Sequence, residues 1–371
     1  MDPVSKYPSQ ISLFWTGLWG GGAERVMLTL AEGFLERGIE VDIVLTTTDG
    51  ELVNEVPNRA RLIDLDASRI LMSLPGLVRY LRDRQPPVLL SAMKTTNCVA
   101  LWARMLSRVP TRVVISEHNA PSSLTRDRSF RDQVLMYSMR LTYPSSDGTI
   151  SVSEGVAEQL YEAVGKPPEE VDVVYNPVVN KNFEERSTEP VRHPWFRTKG
   201  IPVIVGVGSL TEQKDFSTLL RAFAEVRDNR PVYLAIFGEG NERSNLEKEA
   251  EHLDVKEYLW MPGFVSNPLK YMSKASVFTL SSRWEGLGNV LVEAMACGTP
   301  VVATNCRSGP AEILNDGEYG RLVPVGDPQA LAEGIMEALE GNVQAAPCSA
   351  LDRFRRDTVV DQYLEILSRV A

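Results

Sequence analysis

Cysteine and histidine are scarce in this chain of 371 residues. The four cysteines are too few and too far apart for a disulfide scaffold, and the three histidines do not pair with them at the spacing of a zinc site. We therefore expect reduced thiols, no metal site and no cysteine nucleophile. The cysteines are Cys98, Cys297, Cys306 and Cys348.

Long apolar runs are also missing. No segment approaches the roughly 20 apolar residues that a membrane-spanning helix needs, and residues 1–10 lack the basic-then-apolar pattern of a secretory leader. These absences lead us to expect a cytoplasmic protein. The chain is longer than one hydrophobic core usually serves, which predicts two domains of roughly 150 to 200 residues each.

Charge is unevenly distributed. The net charge is −10, but residues 69–140 contain twelve Lys or Arg and four Asp or Glu, a local balance of +8 that leaves −18 for the remainder. Basic residues interleaved with apolar ones favour a helix on an anionic membrane, although a solvated helix face gives the same pattern. Nucleic acid is not an expected partner, because the chain is acidic overall and has no nucleic-acid-binding motif. The arginines of this basic strip are Arg69, Arg79, Arg82, Arg84, Arg104, Arg108, Arg112, Arg126, Arg128, Arg131 and Arg140, and the apolar residues among them are Leu71, Met72, Leu74, Leu77, Val78, Tyr80 and Leu81.

Short β-branched runs alternate with amphipathic segments along almost the whole chain. This alternation predicts an α/β protein with a doubly wound, mainly parallel sheet in each half. A polar, proline-containing stretch near residues 180–200 interrupts it and is the candidate linker. We predict an N-terminal domain at 1–182, a linker at 183–199, a second domain at 200–348 and a terminal amphipathic helix at 349–371.

Residues 284–303 have the layout of a ligand site. Glu285 lies in a loop with two glycines, and Glu293 follows one turn inside an apolar helix. Because the loop can double back at the glycines, both carboxylates can face one small polyol, while backbone N–H groups at the helix start bind an anion. The predicted ligand therefore has hydroxyl groups at one end and a phosphate at the other, as a nucleotide-sugar has. A solvated helix carboxylate beside an ordinary loop acid would give the same spacing.

Two further segments are candidate site loops. Gly20, Gly21 and Gly22 follow the first predicted strand and open a helix, which makes either an anion-tolerant loop or a flexible turn. His118 follows a predicted strand at 113–116 and has no Ser, Asp or Cys partner at hydrolase-like spacing, so it is not read as a member of a triad. A lone histidine can also be purely structural.

The order of these motifs resembles the retaining glycosyltransferases of family 4 over nearly the whole chain. The resemblance implies the GT-B fold, in which two Rossmann-like domains face each other across a cleft holding the active site. It also implies that the first domain is the acceptor side and that the terminal helix packs back onto it. The segments that carry it are SLFWTGLWGGGAERV (12–26), SEHN (116–119), YNPV (175–178), GVGSLTEQKDF (206–216), EAMACGTPVVAT (293–304), SGPAEIL (308–314) and DGEYGRLVP (316–324).

The resemblance implies a retaining, metal-independent transfer from a nucleoside diphosphate sugar, UDP favoured over GDP, to a polysaccharide or lipid-linked glycan, as in bacterial surface-glycan assembly. Lys214 would grip the donor diphosphate, and His118 would lie near the transferred sugar. Glu285 would contact the sugar hydroxyls and Glu293 the ribose hydroxyls. The other implied donor-side positions are Gly21, Gly22, Ser209, Gly238, Phe264, Val265, Gly286, Leu287, Gly288, Asn289 and Val290.

One position departs from the family pattern: Ser209 stands where arginine is usual. Losing one preorganised donor to developing charge costs on the order of a hundredfold in rate, so either another cation substitutes or activity is weak. The candidate substitutes are Arg25, Arg283 and Arg307. Two alternatives stay open, namely a non-catalytic nucleotide-sugar-binding partner of another transferase, and a phosphorylase or epimerase of the same fold.

Overall fold

We describe the fold from a computed structural model in which residues 7–119, 130–197 and 200–371 are described. The chain divides into two compact units. The first consists of Met1–Pro177 and Phe354–Ala371, and the second of Val178–Arg353. Each unit is built on one parallel sheet, which confirms the predicted fold class of two doubly wound domains.

The first unit holds a seven-stranded sheet in the order β3-β2-β1-β4-β5-β6-β7. Its central strands are nearly continuous apolar runs and are buried, as strands covered on both faces must be. The strands are Gln10–Trp15 (β1), Glu40–Leu45 (β2), Arg61–Asp64 (β3), Val88–Ala92 (β4), Arg112–Glu117 (β5), Gly148–Ser151 (β6) and Asp172–Val173 (β7). The α-helices between them are Gly22–Glu36 (α1), Leu74–Arg84 (α2), Lys94–Ser107 (α3), Phe130–Thr142 (α4) and Glu154–Val164 (α5).

The second unit holds a six-stranded sheet in the order β10-β9-β8-β11-β12-β13. Its helices cover a core of buried aliphatic and phenylalanine side chains. The strands are Val203–Val207 (β8), Tyr233–Phe237 (β9), Leu259–Gly263 (β10), Val277–Leu280 (β11), Val301–Thr304 (β12) and Arg321–Val323 (β13). The helices are Phe183–Thr188 (α6), Phe216–Asn229 (α7), Arg243–His252 (α8), Leu269–Met272 (α9), Asn289–Ala296 (α10), Pro310–Ile313 (α11) and Pro328–Leu339 (α12).

The last helix, Arg356–Val370 (α13), packs on α1 within the first unit. Close approach of the two helices depends on Gly33 of α1, because a Cβ at that position would lie 2.5 Å from a methyl group of Val360. Glycine in a helix interior costs up to about 1 kcal/mol relative to alanine, so this contact accounts for its presence. Tyr363 and Leu367 of α13 are fully buried in the core of the first unit.

The segment predicted as a linker, residues 183–199, includes α6, and its described residues belong to the second unit. The His193 ring stacks on Trp260 with centroids 3.8 Å apart, and the Trp195 ring stacks on Tyr233 at 4.2 Å. These aromatic contacts hold the segment on the edge strand β10 and its neighbour β9. Residues 198 and 199 lie outside the described part of the chain.

Candidate functional site

The strand order of the second sheet reverses between β8 and β11. The chain leaves β8 towards β9 on one side, while β11 lies on the other side. Loops at the carboxyl ends of such strands diverge, and the crevice between them is where open α/β sheets bind ligands. Residues 208–214 follow β8 and residues 281–288 follow β11, so two of the predicted donor-binding segments meet at this point.

Lys214 and Glu285 come together there, although they are 71 residues apart in the sequence. The Lys214 Nζ lies 2.5 Å from Glu285 Oε1, and Ser282 Oγ donates a hydrogen bond to the same carboxylate oxygen at 2.7 Å. The Lys214 side chain is 16% exposed and that of Glu285 is 7% exposed. A cation and a carboxylate therefore stand side by side in a largely desolvated position.

Neutral hydrogen bonds tie the two loops together independently of the ion pair. Ser281 Oγ donates to the Lys214 carbonyl at 2.7 Å, and Gln213 Nε2 donates to the Trp284 carbonyl at 2.9 Å. The backbone N–H of Arg283 donates to the Gln213 carbonyl at 2.8 Å. The position of the Lys214 backbone is thus fixed before any ligand binds, which is how a site limits reorganisation.

Two glycines permit close approaches around these loops. A Cβ at Gly238, directly after β9, would lie 1.9 Å from the Gly208 carbonyl oxygen, and one at Gly309 would lie 1.8 Å from the Leu287 carbonyl oxygen. Both glycines also have positive φ values, 150° and 91°. The loop after β9 therefore needs glycine to pack on the loop after β8. Gly309 was not among the predicted site residues.

The helix α10 begins at Asn289, and Gly288 before it has a left-handed φ of 99°. The preceding loop residues Gly286, Leu287 and Gly288 are buried, whereas Asn289, Val290 and Glu293 are half-buried. The predicted anion-binding helix start and both carboxylates of the Glu-x7-Glu segment thus belong to one short stretch that begins after β11.

Phe264 and Val265 lie in the loop after β10, two strands away from β8. The Phe264 ring is 60% exposed, and Val265 is half-buried. An exposed aromatic ring of this kind can stack on a planar base. A role for these two residues in base binding stays a prediction.

Ser209 is exposed at the start of the loop after β8, and two of its candidate cationic substitutes are held by carboxylates. Arg283 Nε pairs with Asp215 Oδ2 at 3.0 Å, and a second nitrogen of Arg283 lies 3.6 Å from Glu212. Arg25, in the first unit, pairs with Glu55 at 3.2 Å. Both arginines thus have carboxylate partners in this structure, as Lys214 has.

In the first unit, the glycine loop lies after β1, next to the strand-order reversal between β1 and β4. The backbone N–H groups of Gly20 and Gly21 donate to Glu24 Oε2 at 2.8 and 3.1 Å, and α1 begins at Gly22. Burial raises the pKa of Glu24 above its usual value. The anion-tolerant loop thus binds a carboxylate of its own chain, which the Gly21-to-Glu24 capping-box spacing could have revealed.

His118 is 7% exposed at the end of β5. Its Nε2 lies 3.1 Å from Ser116 Oγ, which in turn lies 3.3 Å from the Tyr363 hydroxyl on α13. Its Nδ1 has no hydrogen-bond partner within the described residues. Burial lowers the pKa of His118 to about 4, so the imidazole is neutral at pH 7.

A buried polar cluster beside His118 was not foreseen from the sequence. Glu117 is fully buried and accepts hydrogen bonds from the Tyr143 hydroxyl and from Asn97 Nδ2, the latter at 2.9 Å. Burial raises the pKa of Glu117, and burial lowers the pKa of the neighbouring Lys94. Met93, before Lys94 at the end of β4, has a φ of 79° that is rare for a residue with a side chain, and such strain concentrates at functional sites.

The described residues contain neither a metal-binding cluster nor a membrane-spanning helix. No group of three or more His, Cys, Asp or Glu side chains in 7–119, 130–197 or 200–371 is arranged to hold a metal ion. In the same part of the chain, no helix combines the length and the apolar character needed to cross a bilayer.

Comparison with known proteins gives matches along most of the chain. The family description "Glycosyltransferase Family 4" matches residues 20–180, and "Glycosyl transferases group 1" matches residues 188–353. A Campylobacter jejuni protein, N-acetylgalactosamine-N,N'-diacetylbacillosaminyl-diphospho-undecaprenol 4-alpha-N-acetylgalactosaminyltransferase, is 30% identical over 342 residues, which cover 89% of this chain and 90% of that protein. The lipopolysaccharide core biosynthesis glycosyltransferase LpsE of Rhizobium meliloti is 28% identical, covering 94% of this chain and 96% of that one.

The fold is also found among solved structures. Anabaena HepE, solved in complex with UDP and glucose, superimposes with a TM-score of 0.79 at 20% identity. The alignment covers 97% of this chain and 100% of HepE. At this level of identity the likeness concerns the fold alone.

Proposed function

The chain belongs to glycosyltransferase family 4, and we propose that it transfers a sugar, with retention of anomeric configuration, from a nucleoside diphosphate sugar to a lipid-linked glycan or polysaccharide. The observation that carries the proposal is the pairing of Lys214 with Glu285 at the strand-order reversal of the second sheet. One site then offers a cation for a diphosphate and a carboxylate for sugar hydroxyls.

The names of two relatives support the choice of acceptor. The Campylobacter jejuni relative is named for a sugar chain on diphospho-undecaprenol, and the Rhizobium meliloti relative for the lipopolysaccharide core. Both are glycans carried on a lipid. We propose the same class of acceptor for this protein, in bacterial surface-glycan assembly at the inner face of the cell membrane.

In the proposed reaction, the bond between the anomeric carbon and the diphosphate oxygen breaks while the acceptor oxygen bonds to the same face of that carbon. The acceptor proton passes to the departing phosphate oxygen. Lys214 and the N–H groups at the start of α10 would stabilise the charge that develops on the diphosphate, without a metal ion. Glu293 would bind the ribose hydroxyls.

The neutral state of His118 fits a role towards the sugar rather than towards phosphate. A neutral imidazole can donate one hydrogen bond and accept another, which suits a hydroxyl group, whereas an anion would favour imidazolium. We therefore assign His118 to the transferred sugar. UDP is the favoured donor nucleotide, a preference supported by neighbours of the same fold that were solved with UDP.

A second candidate is a nucleotide-sugar-binding protein without transferase activity of its own. Ser209 favours it, since it stands where arginine is usual in the family. The intact carboxylates Glu285 and Glu293 favour an active enzyme instead.

The first experiment is thermal stabilisation of the protein by a panel of UDP-, GDP- and ADP-sugars. A donor present at a hundred times its dissociation constant should add about 2.7 kcal/mol to the apparent free energy of unfolding. Glu293→Ala and Lys214→Ala should lose that shift, whereas Lys248→Ala, on the exposed side of α8, should keep it. If no nucleotide-sugar stabilises the wild type at millimolar concentration, the donor site is wrong.

Turnover of the stabilising donor then separates the two candidates. Transfer to a lipid-linked glycan by the wild type supports the enzyme, and Ser209→Arg should raise the rate if the missing cation limits it. Ser209 is exposed, so a longer side chain has room. Stabilisation by donor with no transfer by either protein would favour the non-catalytic binder.

A further inference from the structure

Trp19 is an exposed tryptophan in the loop between β1 and α1. Its exposed fraction is 56%, although Gly17 and Leu18 just before it are buried. The six tryptophans of the chain all lie in the described ranges, and the other five are buried or half-buried. Single exposed apolar side chains are common on protein surfaces, so the exposure of Trp19 gains meaning only from how the loop holds it.

The backbone before Trp19 is anchored by the segment that follows β2. The Leu18 N–H donates to the Asp49 carbonyl at 3.4 Å, and the Leu52 N–H donates to the Leu18 carbonyl at 2.9 Å. Gly50 makes this approach possible, because a Cβ there would lie 2.1 Å from the Leu18 carbonyl oxygen. The ring of Trp19 is therefore presented from an anchored backbone.

The backbone of Trp19 and of the two residues after it is held by Glu24. The N–H groups of Trp19, Gly20 and Gly21 donate to the Glu24 carboxylate. Successive N–H groups of this kind form an anion-binding concavity, which here is filled by the protein's own carboxylate. The indole ring is thus the main group that residues 19–21 can still offer to a ligand.

Gly17 sets the position of the indole itself. A Cβ at Gly17 would lie 2.6 Å from Trp19 Nε1, and the three atoms nearest to it all belong to the Trp19 ring. The φ of Gly17 is not positive, so the packing of the ring, rather than the backbone conformation, accounts for this glycine. An aromatic ring that is held in place yet exposed loses little conformational entropy when a ligand binds.

Trp19 lies at the same edge of the first sheet as His118. Both residues follow the carboxyl ends of strands, β1 and β5, which flank β4. Neighbouring strands are about 5 Å apart, which places β1 and β5 about 10 Å from each other. With His118 assigned to the transferred sugar, a ring at this position suits the sugar that receives it.

The charged side chains beside this loop favour a neutral ligand. The exposed Glu51 carboxylate lies beside Gly20, since its Oε2 is 3.6 Å from the place of a Cβ at that residue. Asp49 is also exposed, and the Arg25 cation is paired with Glu55. An anion would be repelled here, whereas a carboxylate next to an aromatic ring can accept hydrogen bonds from the hydroxyls of a sugar stacked on that ring.

Much of the basic strip at residues 69–140, in contrast to Trp19, is used by the fold. Arg82 donates to the Leu106 carbonyl at 2.9 Å, and Arg84 lies 3.5 Å from the buried Asp42. The expectation of an apolar membrane face on α2 is wrong in part, because three of the apolar residues that interleave with its arginines are buried. These are Leu77, Tyr80 and Leu81. Arg126 and Arg128 of the same strip lie outside the described residues.

We propose that Trp19 binds a neutral pyranose ring of the acceptor glycan by stacking, and that Glu51 accepts hydrogen bonds from the hydroxyls of that sugar. The face of an aromatic ring carries partial negative charge, which complements the C–H groups on one face of a pyranose. A diphosphate or an anionic lipid headgroup is a poorer occupant, because the carboxylates beside the loop would repel it. The inference rests on the proposed function, since it presupposes a sugar acceptor.

The first test is nuclear magnetic resonance of the full chain labelled with ¹⁵N in tryptophan. Loss of one indole resonance in Trp19→Phe assigns Trp19, and the probes are the methyl glycosides of glucose, galactose, N-acetylglucosamine and N-acetylgalactosamine. At least one glycoside should shift the Trp19 resonance in a saturable manner, and inorganic pyrophosphate should not. Gly17→Ala, which displaces the ring, should weaken binding of that glycoside about fivefold, and Glu51→Gln should weaken it about threefold.

Kinetics with the corresponding octyl glycoside as acceptor provide a second readout. Trp19→Ala should raise the KM for the acceptor about tenfold and leave the KM for the donor unchanged, because only the stacking surface is lost. Trp19→Phe keeps an aromatic ring and should stay within about threefold of the wild type. The matched control is Tyr161→Ala, whose side chain on α5 is 55% exposed, and it should behave like the wild type.

Three results would overturn the proposal: no glycoside shifts the Trp19 resonance, pyrophosphate shifts it more than any glycoside does, or Tyr161→Ala raises the acceptor KM as much as Trp19→Ala. A saturable shift by a glycoside without transfer by the wild type would contradict the proposed function and leave sugar binding by Trp19 standing. Circular dichroism and the melting temperature report whether each variant folds.

Discussion

The loops after β8 and β11 hold an ion pair, whereas the loops after β1, β4 and β5 hold groups that burial drives towards their neutral forms. In the second unit, Lys214 and Glu285 lie 2.5 Å apart. In the first unit, burial raises the pKa of Glu24 and Glu117 and lowers that of His118. The second sheet thus has a charged pair at its strand-order reversal. The first sheet has, at the corresponding place, buried groups whose neutral forms are favoured.

This difference fits the two halves of a glycosyl transfer. A diphosphate gains charge as it leaves, so its site needs a cation that is already in place. Sugar and acceptor hydroxyls carry no charge, and a buried ion near them would lose hydration without gaining a partner. We therefore expect changes in charge to act mainly through the second unit, and changes in protonation mainly through the first.

Removal of the Lys214 side chain from the charged site of the second unit should have the largest effect. Lys214→Ala should lower kcat/KM about a hundredfold or more, because the cation for the leaving group is lost. It should also cost about 3 kcal/mol of the free energy of unfolding, since the Glu285 carboxylate would stay buried without its cation and keep the hydrogen bond from Ser282. Steady-state kinetics and urea unfolding measure the two effects.

A double variant separates stability from catalysis. Lys214→Ala combined with Glu285→Gln removes the uncompensated carboxylate, so stability should return in large part while transfer stays low. Lys248→Ala is the control for loss of an exposed lysine in the same unit. Full transfer activity in Lys214→Ala would show that the ion pair is structural only.

The buried His118 of the first unit should make the free energy of unfolding depend on pH. The pKa of His118 is about 4 in the folded protein and near 6.5 in an unfolded chain, so the unfolded state binds its proton first as the pH falls. This group's contribution to stability is complete above about pH 6.5 and is lost towards pH 4. Between pH 7.5 and pH 5 the loss should reach about 2 kcal/mol.

His118→Gln identifies the share of that pH dependence that belongs to one imidazole. The variant should lose about 2 kcal/mol less than the wild type over the same pH interval, as measured by urea unfolding at each pH. Glu117 and Lys94 also titrate abnormally, but they are present in both proteins and cancel in the difference. Parallel pH curves for the two proteins would mean that His118 takes up protons as freely when folded as when unfolded.

Local patterns in the sequence predicted much of this architecture. β-branched runs between amphipathic segments predict the two parallel sheets, because burial on both faces requires continuous apolar strands. The Glu-x7-Glu segment and the Lys214 motif predict two loops that meet after β8 and β11. The limits of the proposed domains and the roles of the site residues stay predictions.

The buried cluster of Glu117 had no such local signal. Asn97 is supplied by α3 and Tyr143 by the turn after α4, at sequence separations of 20 and 26 residues from Glu117. Only the packing of α3 on β5 and of α4 on α3 brings them together. The exposed apolar residues of α4 were not predicted for a different reason. Their spacing can be read from the sequence, but a helix with two apolar sides does not reveal which side the fold covers. These residues are Phe130, Val134, Tyr137 and Leu141.

The smallest effect should come from Tyr363→Phe, which removes one hydroxyl group near His118 in the first unit. The Tyr363 hydroxyl lies 3.3 Å from Ser116 Oγ, and Ser116 contacts His118 Nε2, so Tyr363 acts as a positioning residue through Ser116. The hydroxyl is worth about 1 kcal/mol of stability, and its loss should lower kcat a few-fold with little change in KM.

The decisive readout for Tyr363 is the imidazole itself. The ¹⁵N resonances of His118 should shift in Tyr363→Phe, because Ser116 is then free to rotate and alter its hydrogen bond to Nε2. Tyr161→Phe, which removes an exposed hydroxyl from α5, should leave those resonances unchanged. If Tyr363→Phe lowers stability but moves neither the His118 resonances nor kcat, the hydroxyl belongs to the packing of α13 alone, and the terminal helix has no part in orienting the histidine.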